Sequence, residues 1–422
     1  MAYDEVTIRS NFPGLLLKDD NRSRVYFDAP GGTQVPLSVI NSYNYALINA
    51  ASNAGGIYPS SQLTAQVRID ARRAMKDFLN ANSEKEIVFG PSMTGLTYNI
   101  SHSLRRHFKE YEGVGEIIVT NMEHDANVSP WLELANDLNL KIKWLKFDKI
   151  KFQFNLQDLE NLVNDKTLLF AFGAASNVFG TLNDVKLATL KAKSINKNCL
   201  VFIDGVQYAP HHLTDVRDLR CDFFVCSMYK IYGPHVGVLW AKQDLIEHLP
   251  IYNARPLENK VPERLELGCL PHESLNAICS TIRYISDIGR QTNLRFQMNN
   301  FCSDERYFIE KGMAAIADHE RALTQHFLTG LNAIEEIKII GIIDPNLIAE
   351  KISTISIISN QFSATELTFR LANEGILTWS GNFYALDAFE YIGISSVVRF
   401  GMAHYNTISE IDYTLEKLRS FH

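Results

Sequence analysis

The chain has 422 residues, of which 46% are hydrophobic and 21% are charged, and its formal net charge at pH 7 is −7. This length suits two or three domains, and the composition is ordinary for a soluble globular protein. The acidic balance argues against a nucleic-acid-binding surface, which needs clustered basic residues. No apolar stretch reaches the length of a membrane-spanning helix, of about 18 residues, and residues 1–24 lack the apolar segment of a signal peptide. We therefore expect a cytoplasmic protein without a membrane or nucleic-acid partner.

The cysteines show neither a Cys-x-x-Cys pair nor the spacing of metal ligands. They are Cys199, Cys221, Cys226, Cys269, Cys279 and Cys302. Most of them lie in or beside apolar runs, where free cysteine acts as a small hydrophobic residue. We expect a reduced, metal-free protein.

Short apolar runs alternate with helical segments through the first part of the chain, as in the amphipathic segment Ser61–Leu79. This alternation is typical of a mostly parallel sheet with helices on both faces, so the sequence predicts an α/β fold. The predicted strands are Glu86–Phe89, Glu116–Asn121, Lys141–Phe147, Leu168–Gly173, Leu200–Asp204, Phe223–Ser227 and Gly237–Ala241.

From Glu273 to about Glu336 the pattern is helical with little punctuation, which predicts a long segment that bridges two domains. A compact α+β unit follows. Two of its helices begin at Ser363 and Thr407, each with a glutamate three residues later, as in a capping box. Its predicted strands are Ile337–Ile342, Thr354–Ile358, Ile376–Trp379 and Val397–Met402.

The segment from Val201 to Trp240 contains two predicted strands that end in polar residues. One ends at Asp204, and the other ends at Ser227, three residues before Lys230. In an open α/β sheet, ligands bind outside the carboxyl ends of the strands. Each residue alone has an ordinary explanation, because aspartate forms turns and lysine is usually solvated. Together they place an acid and an amine at one crevice, which suits a small organic cofactor.

Three motifs in this segment resemble those of the class V aminotransferase family of pyridoxal-phosphate enzymes, in particular its cysteine desulfurase-like branch. They are Asp-Gly-x-Gln at 204–207, Ser-x-x-Lys at 227–230 and Gly-Pro-x-x-Gly at 233–237. The resemblance covers nearly the whole chain and implies the fold-type I architecture of these transferases, in which a large domain has a mostly parallel seven-stranded sheet.

The resemblance implies a large domain at residues 20–290 and a smaller α+β domain, with the bridging helix, at residues 1–19 and 291–422. It also implies that Lys230 forms the internal aldimine with pyridoxal 5'-phosphate and that Asp204 pairs with the pyridinium nitrogen. The protonated ring is then an electron sink, and the displaced lysine shuttles a proton. The family further implies a homodimer with active sites near the interface and an amino-acid substrate.

The predicted strand Glu86–Phe89 is followed by a turn into a helix, and this turn is a candidate phosphate-binding site. Backbone N–H groups and hydroxyls at a helix N-terminus bind phosphate, although serine and threonine there more often only cap the helix. The resemblance implies that Ser92, Met93 and Thr94 hold the cofactor phosphate and that Ser227 and Tyr229 reach toward it.

The remaining predicted site residues follow strands at the positions that the family expects. His124 would stack on the cofactor ring and take part in proton transfer, although a lone histidine is more often structural. Asn177 and Gln207 would lie near the cofactor's phenolic oxygen or the substrate, unless they only form turns. Arg399 would clamp the substrate α-carboxylate, because a planar guanidinium binds a carboxylate at two points; the alternative is a surface salt bridge.

The chain departs from the desulfurase pattern at four places. Desulfurases carry a persulfide-forming cysteine in the region that corresponds to Gly375–Ala385, which contains none here. Trp379 stands where they usually have arginine, and Tyr229 where they have histidine. Cys269 replaces a threonine that contacts the neighbouring subunit's phosphate in relatives, so that contact is in doubt.

These observations favour an enzyme that removes the α-proton of an amino acid and then performs transamination or β-elimination of the C–S lyase type. One alternative is a cysteine desulfurase whose thiol comes from elsewhere, because direct sulfur abstraction needs a thiolate. Another is a non-catalytic pyridoxal-phosphate-binding protein. The intact set of Asp204, Lys230, His124 and Arg399 argues for the enzyme.

Overall fold

A computed structural model of the chain describes residues 4–257, 260–292 and 304–421. Within these ranges the helices are α1 (Glu5–Ser10), α2 (Leu37–Asn49), α3 (Pro59–Leu79), α4 (Met93–His107), α5 (Ser129–Leu138), α6 (Leu156–Leu162), α7 (Val185–Ile195), α8 (Val216–Leu219), α9 (Gln243–His248), α10 (His272–Thr292), α11 (Glu305–Asn332), α12 (Ala364–Asn373), α13 (Leu386–Ile392) and α14 (Ile408–Phe421). None of them combines the length and the apolar character needed to cross a bilayer.

The strands in the same ranges are β1 (Lys18–Asp19), β2 (Arg22–Ser23), β3 (Val25–Tyr26), β4 (Ile87–Gly90), β5 (Glu116–Thr120), β6 (Lys141–Leu145), β7 (Thr167–Gly173), β8 (Leu200–Asp204), β9 (Phe223–Ser227), β10 (Gly237–Ala241), β11 (Ile337–Ile340), β12 (Thr354–Ser359), β13 (Ile376–Leu377), β14 (Trp379–Gly381) and β15 (Val397–Gly401).

Seven strands form the large sheet, in the order β4-β10-β9-β8-β7-β5-β6. The five strands from β9 to β6 run parallel, and β10 is antiparallel to both of its neighbours. Every residue of β5, β7, β9 and β10 is buried, since apolar clusters cover both faces of the sheet. This arrangement confirms the predicted α/β fold with a mostly parallel seven-stranded sheet.

A second, antiparallel sheet has the order β11-β12-β15-β14. Its core packs against α11, α12 and α14 and includes Phe27, Phe327 and Phe400. The predicted capping box at α14 is confirmed, because the Thr407 hydroxyl accepts from the Glu410 N–H at 3.2 Å and the Glu410 carboxylate accepts from the Thr407 N–H at 3.1 Å.

Two predicted elements differ in the structure. The predicted strand Ile376–Trp379 is two strands, because β13 pairs with β3 while β14 pairs with β15. The partner strand β3 lies far away in the sequence, so the local pattern did not reveal the switch between sheets. The helical stretch from Glu273 to Glu336 contains α10 and α11. The junction between them, with Cys302, lies outside the described residues.

The two long helices cross closely at a pair of glycines. A Cβ atom on Gly289 would lie 2.0 Å from the Phe308 carbonyl oxygen, and one on Gly312 would lie 2.1 Å from that of Ile285. Only glycine allows backbones to approach this closely. The contact joins the helix that covers the large sheet to the helix that covers the second sheet.

A buried ion pair fixes the strand that leads into the site. Arg72 of α3 donates to both carboxylate oxygens of Glu266, at 2.9 and 2.7 Å. Arg72 also donates to the Ile87 carbonyl at 2.7 Å, and Glu266 accepts from the Phe89 N–H at 2.9 Å. Because both charges are buried, each compensates the other. The pair therefore holds β4 in place.

Replacing Arg72 by alanine would leave the Glu266 carboxylate buried without its cation. We expect the Arg72→Ala substitution to lower the free energy of unfolding by about 3–5 kcal/mol. The control is Arg68→Ala, because Arg68 is 29% exposed and its guanidinium lies 3.9 Å from Glu263. The Arg68→Ala change should lower the free energy of unfolding by about 1 kcal/mol or less. Urea unfolding of both variants measures the difference, and equal losses would contradict this interpretation.

Candidate functional site

A cavity of about 640 Å³ lies at the carboxyl ends of the central strands of the large sheet, facing the second sheet. Its volume is in the range of small-molecule and cofactor sites. All the site residues predicted from the sequence line it, namely Ser92, Met93, Thr94, His124, Asn177, Asp204, Gln207, Ser227, Tyr229, Lys230 and Arg399.

The predicted acid and amine enter this cavity from neighbouring strands. Asp204 is the last residue of β8, and Lys230 ends the turn that follows Ser227 of β9. The Asp204 carboxylate accepts from the Val206 N–H at 2.9 Å. Burial raises the pKa of Asp204 to about 6, while this hydrogen bond and the Lys230 cation oppose the rise. A buried carboxyl of this kind suits pairing with a ring N–H.

Burial shifts the pKa of Lys230 in the direction opposite to that of Asp204. It lowers the pKa of Lys230 to about 8, and the charge of Arg399 adds to the lowering, while Asp28 and Asp204 oppose it. The Nζ atom donates to the Pro30 carbonyl and lies 5.0 Å from the centre of the neighbouring tyrosine ring. A lowered pKa increases the fraction of neutral amine, which is the form that attacks a carbonyl.

The first turn of α4 forms one end of the cavity. Ser92 caps this 15-residue helix, and its hydroxyl accepts from the Gly95 N–H at 3.0 Å. Met93 and Thr94 follow as the first helical residues, where backbone N–H groups carry partial positive charge. Strand β10 passes so close that a Cβ atom on Gly237 would lie 2.3 Å from the Ser92 carbonyl carbon. This end of the cavity suits a phosphate.

Backbone contacts hold Tyr229 and Gln207 at one wall. The Tyr229 ring stacks on His235, with centroids 4.5 Å apart and an angle of 4°. The Tyr229 carbonyl accepts from the Thr33 N–H at 3.0 Å and from its hydroxyl at 3.1 Å. The Gln207 side chain donates to the Pro30 carbonyl at 3.1 Å. These contacts set the orientation of both side chains before any ligand binds.

His124 follows β5, and its Nδ1 accepts from the Ala126 N–H at 3.1 Å. In the neutral ring the proton is therefore on Nε2. Burial lowers the pKa of His124 to about 4, and the charges of Lys230 and Arg399 add to the lowering. The ring centre lies 5.4 Å from that of Tyr384. His124 is thus a neutral imidazole at neutral pH, which suits stacking on a ring and hydrogen-bond donation from Nε2.

Arg399 reaches the cavity from β15 of the second sheet and is 4% exposed. Its guanidinium donates to the Asn177 carbonyl at 3.1 Å and to the Asp28 carboxylate at 3.0 Å. The Phe383 ring covers it, with 3.9 Å from the guanidinium carbon to the ring centre. Burial lowers the pKa of Arg399, and Asp28 opposes this effect.

The segment from Trp379 to Tyr384 closes the cavity on the side of the second sheet. The Asn177 amide donates to the Phe383 carbonyl at 2.8 Å, and the Asp125 N–H donates to the Tyr384 carbonyl at 2.8 Å. Phe383 and Tyr384 have φ values of +54° and +58°, which are uncommon for bulky residues. Such strained backbone clusters at functional sites.

Glu123 also lines the cavity, although the sequence analysis did not select it. It is 4% exposed and accepts from Asn127 at 2.9 Å and from the Thr120 hydroxyl. Burial raises the pKa of Glu123 to about 7, and the nearby charge of Asp204 adds to the rise. Its position directly before His124 was the one local signal that could have identified it.

Cys269, which the sequence analysis discussed as a replacement for a phosphate-contacting threonine, is exposed and does not line the cavity. Its sulfur lies 3.3 Å from the Asn53 side chain and 4.0 Å from the nearest ring nitrogen of His272. No lining residue in the described part of the chain is a cysteine.

The residues present fit pyridoxal phosphate. A helix N-terminus, a buried carboxyl and a buried lysine with a lowered pKa surround one cavity of suitable size. Two atoms in its wall, Asn177 Oδ1 and Arg399 Nε, are buried and have no hydrogen-bond partner in the described structure. A ligand bound here would supply hydrogen-bond partners for these two atoms.

Comparisons with known proteins identify the family of the chain. The sequence matches the family model for aminotransferase class-V over residues 25–299 and 292–414. It is 28% identical over 441 residues to a cysteine desulfurase of Pectobacterium atrosepticum, covering 100% of this chain and 99% of the relative. An aminotransferase-like protein of Gibberella zeae is 29% identical over 435 residues, covering 99% and 98%.

Solved structures show the same fold. The apo structure of a cysteine desulfurase from Thermococcus onnurineus has a TM-score of 0.85 and 23% identity, covering 100% of this chain and 99% of that one. A cysteine desulfurase structure from Escherichia coli has a TM-score of 0.82 and 22% identity, covering 100% and 98%. With the family match over nearly its whole length, the chain belongs to the aminotransferase class-V family and is a pyridoxal-phosphate-dependent enzyme.

Proposed function

We propose that this enzyme acts on an amino acid, by chemistry of the aminotransferase type or of the C–S lyase, β-elimination type. The observation that best supports this is the placement of Asp204, Lys230 and Arg399 around one cavity. When bound, the cofactor supplies an electron sink for the carbanion at the substrate α-carbon.

The chain's own residues bind and orient the reactants. Ser92, Met93 and Thr94 hold the phosphate, with Ser227 and Tyr229 beside them. Asp204 would stabilise a proton on the ring nitrogen, because a carboxylate next to that nitrogen favours its charged form. Asn177 and Gln207 contact the cofactor's oxygen or the substrate.

Lys230 would hold the cofactor through its amine, and the free amine would accept the proton from the substrate α-carbon. His124 would stack on the cofactor ring, and because it is neutral at neutral pH its Nε2–H would donate a hydrogen bond to the reacting groups. Arg399 binds the α-carboxylate through its guanidinium. Its contact with Asp28 keeps this cation oriented in the absence of substrate.

A desulfurase mechanism is the runner-up, and it needs a thiol from elsewhere. In the described structure no cysteine lines the cavity. Burial raises the pKa of the thiols of Cys199, Cys221, Cys226 and Cys279, which disfavours the reactive thiolate. A small-molecule thiol is the alternative sulfur acceptor. A non-catalytic binding protein is less well supported, because the reactive groups are all present at one site.

We also propose a cytoplasmic homodimer. Large apolar side chains on α2 and the following loop are each at least 50% exposed, and a concentration of such side chains within residues 37–58 supports an association surface. These side chains are Leu37, Tyr45, Leu47, Ile48, Ile57 and Tyr58.

The reaction is tested with the purified holoenzyme. We expect bound cofactor to absorb at the edge of the visible range and Lys230→Ala to lose this band, because the amine that attaches the aldehyde is gone. Lys351→Ala is the matched control, since Lys351 is also buried but does not line the cavity.

Amino acids added singly then separate the reactions. Transamination leaves the pyridoxamine form, elimination releases pyruvate and ammonia, and desulfuration releases sulfide and alanine. The proposal expects one of the first two without added thiol. Sulfide release that depends on an added thiol supports the runner-up, and no response to any amino acid would leave only a binding protein.

The lowered pKa of Lys230 predicts how cofactor uptake depends on pH. In the apoprotein, uptake needs the neutral amine, so its rate should rise as the pH passes through about 8 and then level off. Removing the cation in Arg399→Gln should move this midpoint upward, because Arg399 contributes to the lowering. Arg370→Gln, on the exposed side of α12, is the control. Initial rates of absorbance change on adding the cofactor measure the midpoint in each protein. The same midpoint in Arg399→Gln and in the unchanged protein would contradict the prediction.

A further inference from the structure

An aromatic surface borders the cavity next to the carboxylate-binding arginine. Trp379 is directly opposite Arg399 in the pairing of β14 with β15. Side chains of opposite residues in an antiparallel pair lie on the same face of the sheet, with Cβ atoms roughly 5 Å apart. Trp379 lines the cavity and remains 61% exposed. An indole therefore stands at the cavity mouth beside the group that binds the α-carboxylate.

Two further rings line the cavity beside Trp379. Phe383 lies on the Arg399 guanidinium at 3.9 Å, and Tyr384 lies 5.4 Å from the His124 ring. Hydrogen bonds from Asn177 and Asp125 to the two carbonyls hold this backbone in its left-handed conformation. Trp379, Phe383 and Tyr384 thus form one aromatic wall of the cavity, beside Arg399 and His124.

The charged side chains of the cavity are already engaged. Arg399 and Asp28 pair with each other at 3.0 Å, and Glu123 accepts hydrogen bonds from within the protein. Asp204 and Lys230 serve the cofactor in the proposed function. A charged substrate side chain beside these rings would therefore give up part of its hydration without meeting an uncommitted opposite charge among the described lining residues. Such a loss is costly, whereas contact with aromatic rings favours an apolar group.

We propose that the segment from Trp379 to Tyr384 is the side-chain subsite of the enzyme and that it selects amino acids with bulky, uncharged apolar or aromatic side chains. This inference rests on the proposed function and specifies its substrate class. Arg399 holds the α-carboxylate, and the substrate side chain lies along the three rings toward the mouth.

Titration of the holoenzyme with single amino acids tests this assignment through the absorbance of the bound cofactor. Phenylalanine and leucine should bind at least about tenfold more tightly than aspartate, glutamate or lysine. Trp379→Ala should weaken the binding of phenylalanine about tenfold, as expected for losing contact with one aromatic side chain. The affinity for alanine, whose side chain is too short to reach the indole, should change less than about twofold in Trp379→Ala. Trp379→Phe should restore most of the preference for phenylalanine over charged amino acids.

The matched control is Tyr111→Ala, which removes an aromatic side chain that is 41% exposed and does not line the cavity. It should leave every affinity unchanged. Tighter binding of a charged amino acid, or an equal loss for alanine and phenylalanine in Trp379→Ala, would overturn the subsite. If the cofactor band is present and some amino acid reacts without this preference, only the subsite fails. If no band forms, the proposed function fails and the subsite falls with it.

Discussion

The burial of one carboxyl and one amine at the ends of two neighbouring parallel strands is the constraint on which this site depends. Burial raises the pKa of Asp204 and lowers that of Lys230, so both groups move toward neutral pH from opposite sides. The large sheet makes this possible, because its parallel strands β8 and β9 end at the same edge. The Arg72–Glu266 pair and the close passage of Gly237 place the first turn of α4 at that edge too.

The second sheet completes the cavity with a different set of groups. Arg399 enters from β15, and Trp379 lies opposite it on β14. Asn177, which follows β7 of the large sheet, accepts from the Arg399 guanidinium through its carbonyl and donates from its side-chain amide to the Phe383 carbonyl. The cavity is therefore shared between the two sheets, with Asp204 and Lys230 on one side and Arg399 and Trp379 on the other.

The sequence predicted the parts of this site that local patterns encode. Asp204, Ser227 and Lys230 follow buried apolar runs, so a strand and its polar end are visible within a few residues. Asp28 was missed because its partner Arg399 is 371 residues away. The division of the predicted strand 376–379 between two sheets was missed for the same reason, since its partner β3 lies near the start of the chain.

The attachment point of the cofactor is the central claim, and hydride reduction of the holoenzyme followed by peptide mass mapping tests it most directly. Reduction makes the link permanent, so the modified lysine can be read from the peptide masses. Lys351 is the informative competitor, because it is buried, donates to the Phe179 carbonyl, and burial lowers its pKa to about 7. We predict the added mass on Lys230; its appearance on Lys351 or another lysine would contradict the account.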